Sequence, residues 1–205
     1  MPSFVIRLLA GVIITLPLAQ TAQAGAYGTL GISIDDIQPE DEFDSFTGTG
    51  INARLGYNFG RCFGVESEGQ IGLSGEGENP YFIDGTLIQN EIYQYKGAWS
   101  LYLRPQLPVS DNLSFSLRVG FGVQYFDRTV DNFEFPSGAP ASQFNDPSTN
   151  LHGALAGGVE YWLGEKKTDS LRLDITSRYH IGSLSDGEDE GYRDSQVTVS
   201  YARKF

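Results

Sequence analysis

The segment Leu113 to Tyr125, LSFSLRVGFGVQY, decides the fold. Its odd positions are large and apolar: Leu113, Phe115, Leu117, Val119, Phe121, Val123 and Tyr125. Between them stand Ser114, Ser116, Arg118, Gly120, Gly122 and Gln124, all small or polar. Successive side chains of a strand point to opposite faces, so the segment has one greasy and one wet face. Strands of soluble domains run to about five or six residues. A tilted strand crossing a bilayer needs roughly nine to eleven, and this pattern is long enough. The apolar face then looks at lipid and the small, polar face into a closed barrel.

Working outward, the same alternation recurs in eight segments: 26–34, 47–59, 62–73, 93–107, 113–125, 151–163, 171–181 and 196–205. The connections between them alternate long and short. The long ones are 35–45, 74–90, 127–150 and 183–194, rich in acids, glycine and proline. Short turns on the periplasmic side, long external loops and an even strand count are the layout of an outer-membrane barrel. The expected fold is therefore all-β, an eight-stranded antiparallel up-and-down transmembrane barrel located in the outer membrane.

The N-terminus fits export. Arg7 precedes the apolar run LLAGVIITLPL (Leu8 to Leu18), and Ala22-Gln23-Ala24 forms a small-x-small cleavage site. Residues 1–24 read as a signal peptide and 25–205 as the barrel domain. A single cysteine, Cys62, excludes an intramolecular disulfide. The formal net charge of −12 argues against nucleic acid as a partner.

The sequence resembles the small outer-membrane β-barrel proteins of Gram-negative bacteria, the group that includes the OmpA-like transmembrane domain. The carrying residues are LGYNFG (Leu55 to Gly60), FGVESEGQIG (Phe63 to Gly72) and the terminal VSYARKF (Val199 to Phe205). The resemblance implies that Phe205 on the last strand is the signal read by the barrel-assembly machinery. It also implies outer-membrane lipid and lipopolysaccharide as surroundings, and a surface ligand for the external loops.

Three constellations could carry function. Arg54, Glu66, Glu68, Lys96, Arg104, Arg118, Glu160, Arg172, Asp174 and Arg178 share inward parity. The interior of an eight-stranded barrel is just wide enough for side chains to fill. Buried charges must pair there, so these residues are expected to form a plugging ion network with at most a narrow pore. On the outer face Tyr57, Phe59, Tyr95, Trp99, Tyr125, Tyr161, Tyr179, Tyr201 and Phe205 are expected to anchor the two membrane interfaces.

The second constellation is His180, Ser183 and Glu188. The stretch RYHIGS (Arg178 to Ser183) resembles lipid A deacylases, outer-membrane barrels whose resemblance implies a His, a Ser and an acid hydrolysing an acyl ester. This chain departs from that pattern. Gly182 occupies the place two after His180, Leu184 rather than Asn follows the serine, and His180 has lumen parity. The expectation is a non-enzymatic barrel, the hydrolase being the alternative.

The third constellation is the acidic outer rim: Asp35, Asp36, Glu40, Asp41, Glu42 and Asp44 in the first loop, and Asp186, Glu188, Asp189 and Glu190 in the last. DGEDEG (Asp186 to Gly191) superficially resembles a calcium loop, but Val197 stands where the bidentate Glu belongs. No metal or cofactor site is expected.

Overall fold

The computed structural model describes residues 24–39, 45–60, 62–184 and 192–205. The proposed signal peptide and the acids at 40–44 and 186–190 lie outside the described residues, apart from Ala24. The described chain forms nine strands: β1 Gly25–Pro39, β2 Phe46–Asn58, β3 Phe63–Ser74, β4 Glu76–Ile83, β5 Thr86–Pro108, β6 Leu113–Glu134, β7 Ala139–Leu163, β8 Asp169–Ser183 and β9 Tyr192–Lys204. All pairings are antiparallel, between neighbours in sequence save at the two closures, β1 with β9 and β3 with β5. Leu30 stands opposite Tyr201 at the first closure and Glu68 opposite Ser100 at the second. β4 continues the line of β3 beyond a break at Gly75, so the closed ring has eight strands.

The outer face carries Leu30, Ile32, Leu55, Ile71, Phe121, Ile175 and Val199, all exposed. A contiguous apolar belt of this extent has no place on a water-soluble surface and is the lipid contact. The inner face inverts ordinary burial. Most fully buried residues are polar or charged, and Arg54, Arg104, Arg118 and Arg178 are among the largest side chains hidden from solvent.

Two expected loops are strand instead. Most of residues 76–90 and nearly all of 127–150 extend the β4–β5 and β6–β7 hairpins past the apolar belt as a four-stranded sheet. Alternation vanishes there because β7 from Ala139 to Pro147 is exposed throughout, with no core and no lipid to impose a period of two. The ladder holds that part together with cross-strand side-chain hydrogen bonds, Thr129 to Asn145 at 2.7 Å, Asn132 to Ser142 at 3.2 Å and Gln143 to Asp131 at 2.7 Å. The tips of the two hairpins meet, since Thr86 lies beside Gly138.

A lumen filled in layers

The inward positions build a layered plug. Near the periplasmic end, Glu160 holds two guanidinium groups, Arg104 Nη2 at 2.6 Å and Arg172 Nε at 2.9 Å. Arg172 also reaches Glu66 at 2.8 Å, and the Tyr27 hydroxyl donates to the same carboxylate. Tyr27 can lie across the barrel because β2 offers Gly56 there, and any Cβ at that position would collide with its ring. The Arg172 guanidinium sits 4.6 Å above the Tyr27 ring, a distance at which the cation meets the negative face of the π-system.

One layer outward, Arg54 bridges Glu68 and Asp174. Arg118 binds Glu68 at 2.7 Å and donates to Thr176 at 3.2 Å, with its guanidinium over the Tyr102 ring. Further out, Arg178 gathers Asp194 at 2.6 Å, Glu68 at 3.3 Å and Asp35 at 3.4 Å. Gln196 and Gln70 each donate to Asp35 at 2.8 Å. His152 shares a 2.9 Å hydrogen bond with Ser100 beside this layer. Sharing Glu66, Glu68, Glu160 and Asp174 among two or three cations each, and Arg178 among three carboxylates, offsets the several kcal/mol per ion that desolvation costs.

Above the ions the lumen turns apolar. Ile37, Phe46, Tyr95, Phe126 and Tyr192 form one buried cluster. Ring centroids lie 5.6 Å apart for Tyr95 and Phe126 and 5.3 Å for Phe126 and Tyr192, within the range of aromatic pairs.

Nine of the ten predicted lumen charges, Arg54, Glu66, Glu68, Arg104, Arg118, Glu160, Arg172, Asp174 and Arg178, are buried inside the ring. Lys96 is a correction. A bulge between Tyr95 and Gly97 resets the parity of β5, so Tyr95 points inward and Lys96 outward. Lys96 pairs with Asp127 at 3.0 Å, both side chains about two-fifths exposed. Tyr95 therefore leaves the expected outer girdle and joins the inner cluster. The remaining girdle candidates lie exposed on the outer face: Trp99, Tyr125 and Tyr179 toward the external end, Tyr57, Phe59, Tyr161, Tyr201 and Phe205 toward the other.

Asp35 is a second correction. It belongs to β1 and lies fully buried, not in an external loop. Asp194 was missed with it, because β9 begins four residues before the expected start. Carrying the alternation of Ile32 and Ile34 one step further, or that of Val197 back to Tyr192, finds both.

His180 stands beside His152 in the ladder, with its ring centroid 5.4 Å from that of Tyr192. Ser183 is opposite Asn150, and Glu188 falls outside the described residues. Among the described residues no group of three His, Cys, Asp or Glu side chains is arranged to hold a metal ion.

No curated protein matches the chain in sequence. Among solved structures it is similar to Ail, the attachment invasion locus protein of Yersinia pestis, with 12% identity and a TM-score of 0.52 over 89% of this chain and 100% of that one. It is likewise similar to Neisserial surface protein A, NspA, with 11% identity and a TM-score of 0.53 over 89% of this chain and 99% of that one. At such identity these likenesses speak for the fold. A family model, the outer membrane protein beta-barrel domain, matches residues 5–205. The chain belongs to that family, and its place is the outer membrane.

Proposed function

We propose that this chain is a non-enzymatic barrel with a side-chain-filled lumen, serving envelope integrity and surface interaction through acidic segments beyond the membrane. The observation that carries the reading is the contrast between a sealed interior and a projecting sheet. Ion layers and an aromatic cluster occupy the space through which a solute would pass. Large diffusion pores need about sixteen strands, so conductance here is at most that of a narrow, occasional path.

The sheet beyond the belt has the features of a contact surface. Between residues 76 and 94 and between 126 and 149 the sequence carries Glu76, Glu78, Asp84, Glu91, Asp127, Asp131, Glu134 and Asp146 against the single base Arg128. Tyr81, Phe82, Phe135 and Phe144 stand exposed on it, away from lipid. Among the described residues no strand pairs with the outer edge of β7 before Asn150. Unpaired edges accept strands from partners, and exposed aromatics anchor interfaces.

The test is truncation of the β4–β5 hairpin, joining Gly77 to Tyr93 through an Asn-Gly turn at a pair that already faces across the ladder. Cells displaying the truncated barrel should lose binding to cultured host cells while the barrel keeps its heat-modifiable migration on gels. Equal binding by both forms would overturn the surface reading. Lipid A from expressing cells should keep its full mass. Loss of an acyl chain, abolished by His180→Ala, would instead establish the hydrolase.

A further inference from the structure

The ion pairs of the lumen join into one network whose charges do not cancel. Among the described residues it holds five arginines and six carboxylates. Arg54, Arg104, Arg118 and Arg172 balance Glu66, Glu68, Glu160 and Asp174. The excess lies in the outermost layer. There Arg178 is the one cation paired with Asp35 and Asp194, and it meets both through the same nitrogen, Nη1, at 3.4 and 2.6 Å. Both acids are buried, at 0% and 1% exposure. A buried carboxylate without a compensating charge costs several kcal/mol, and neutralising the group relieves that cost.

Hydrogen bonding tells the two acids apart. Asp35 is surrounded as an ion. Its Oδ1 accepts from Arg178 and from Gln196 at 2.8 Å, and its Oδ2 from Gln70 at 2.8 Å and Ser33 at 3.2 Å. Asp194 is not. Its Oδ2 accepts from Arg178 at 2.6 Å and from the Gln124 amide at 3.4 Å, but its Oδ1 has no hydrogen-bond partner among the described residues. Gln124 Oε1 is likewise buried and unpartnered. Asp194 and Gln124 thus make one arm of an acid–amide pair, and the atoms left for the second arm are both acceptors. Two bare acceptors cannot bind each other, whereas a carboxylic acid O–H donates to an amide C=O.

Asp194 stands inside the ring but beyond the hydrocarbon. At its level β1 and β9 turn Asp36, Gln38, Arg193 and Ser195 outward, all exposed, and the apolar belt begins one step inward at Ile34 and Val197. Burial lifts the Asp194 carboxyl above the usual carboxylate range, Arg178 pulls it back and Asp35 pushes it further up. The ionisable groups facing it are Asp35 on β1, Glu68 on β3, Tyr95 on β5, His152 on β7, Arg178 and His180 on β8 and Tyr192 on β9. From the charge count and the hydrogen bonds we infer that Asp194 is a proton-binding site, whose proton on Oδ1 is donated to Gln124 Oε1 and completes the charge balance of the lumen. The inference rests on the side-chain-filled lumen and is independent of any surface partner. Because the folded barrel binds a proton that the unfolded chain has released, this contribution to stability is full below the ordinary Asp range, about 4. It is lost as the pH rises through the folded-state value. Two carboxylates then share one guanidinium, and the outer layer loosens.

The test compares the barrel in lipid vesicles with its Asp194→Asn and Asp35→Asn variants. Difference infrared spectra between pH 6 and pH 9 report a neutral carboxyl group through its carbonyl stretch, a band that His152 and His180 cannot give. The parent protein should show one such band at pH 6, lose it by pH 9, and lack it altogether as Asp194→Asn. Asparagine copies the neutral acid, since its amide can donate to Gln124 Oε1 while its oxygen still accepts from Arg178. Asp194→Asn should therefore unfold at the parent denaturant midpoint at pH 6 and at a higher midpoint at pH 9. Asp35→Asn should unfold earlier at both, because it sets a donor among four donors. A band that survives Asp194→Asn and disappears in Asp35→Asn would move the proton to Asp35 and overturn the assignment. Absence of the band from a parent barrel with folded gel migration would overturn it too, as would Asp194→Asn unfolding as early as Asp35→Asn at pH 6. Conductance in planar bilayers reports separately on the filled lumen: a wide pore at both pH values would sink that reading and this one together.

Discussion

Arg118 and Lys96 are cations on adjacent strands, and simple alternation puts both in the lumen. Arg118 is fully buried, binds Glu68 and Thr176, and lies over the Tyr102 ring. Lys96 stands outside the barrel, about two-fifths exposed, with Asp127 and Gln94 as neighbours. The bulge between Tyr95 and Gly97 accounts for the difference, since one extra residue in a strand exchanges its two faces. The comparison teaches that the same charge is a structural requirement below the bulge and a surface detail above it.

The sharpest way to break that comparison is Arg118→Ala. Removing one partner leaves Glu68 and Asp174 with less positive charge in a site closed to water. The cost should be about 3–5 kcal/mol, measured by guanidinium unfolding of the barrel in lipid vesicles. Combining it with Glu68→Gln should cost clearly less than the two single changes together, because the charge left behind is then removed as well. Strict additivity would mean that the two side chains do not meet.

The outer face offers a second test of the same inside–outside assignment. Ile32 lies in the apolar belt of β1 and is 68% exposed. On a soluble surface Ile32→Arg would be nearly neutral. Facing the middle of a bilayer it should cost about 2–4 kcal/mol by the same unfolding measurement. A neutral result in vesicles would remove Ile32 from the lipid contact.

How much of this was legible in sequence follows from what each residue faces. Where lipid lies on one side and ions on the other, every step of the chain is sorted, and eight strands with nine lumen charges could be read from a period of two. Two things broke the reading. In the β7 arm of the projecting sheet both faces meet water, so the stretch around Ser142 and Asn145 reads as a loop although its backbone pairs with β6. At Lys96 the period continued through a bulge whose only local sign is a glycine. Asp35 was misplaced for a related reason: its neighbours Asp36 and Gln38 are exposed and polar, and the apolar stripe that marks the strand ends at Ile34.

That glycine can be tested. Gly97 has φ of +153°, and a Cβ there would run into the Gln70 carbonyl oxygen of β3. Gly97→Ala must either strain the backbone or push β3 and β5 apart, at a cost of about 1–3 kcal/mol. If the substitution is silent, the bulge is not held by this residue, and the reset of parity needs another cause.

The smallest effect belongs to Lys96 itself. Its pair with Asp127 lies half in solvent, where an ion pair contributes about 0–1 kcal/mol and weakens as salt rises. Lys96→Ala should therefore shift unfolding by no more than that, and the shift should shrink between low salt and 0.5 M sodium chloride. Arg118→Ala should stay nearly as costly at both concentrations, because salt does not reach its partners. The two salt responses separate the regions more cleanly than the sizes alone. A Lys96→Ala variant as unstable as Arg118→Ala and insensitive to salt would return Lys96 to the lumen. Tyr95 would then face lipid, and the aromatic layer that closes the ion network would lose a central member.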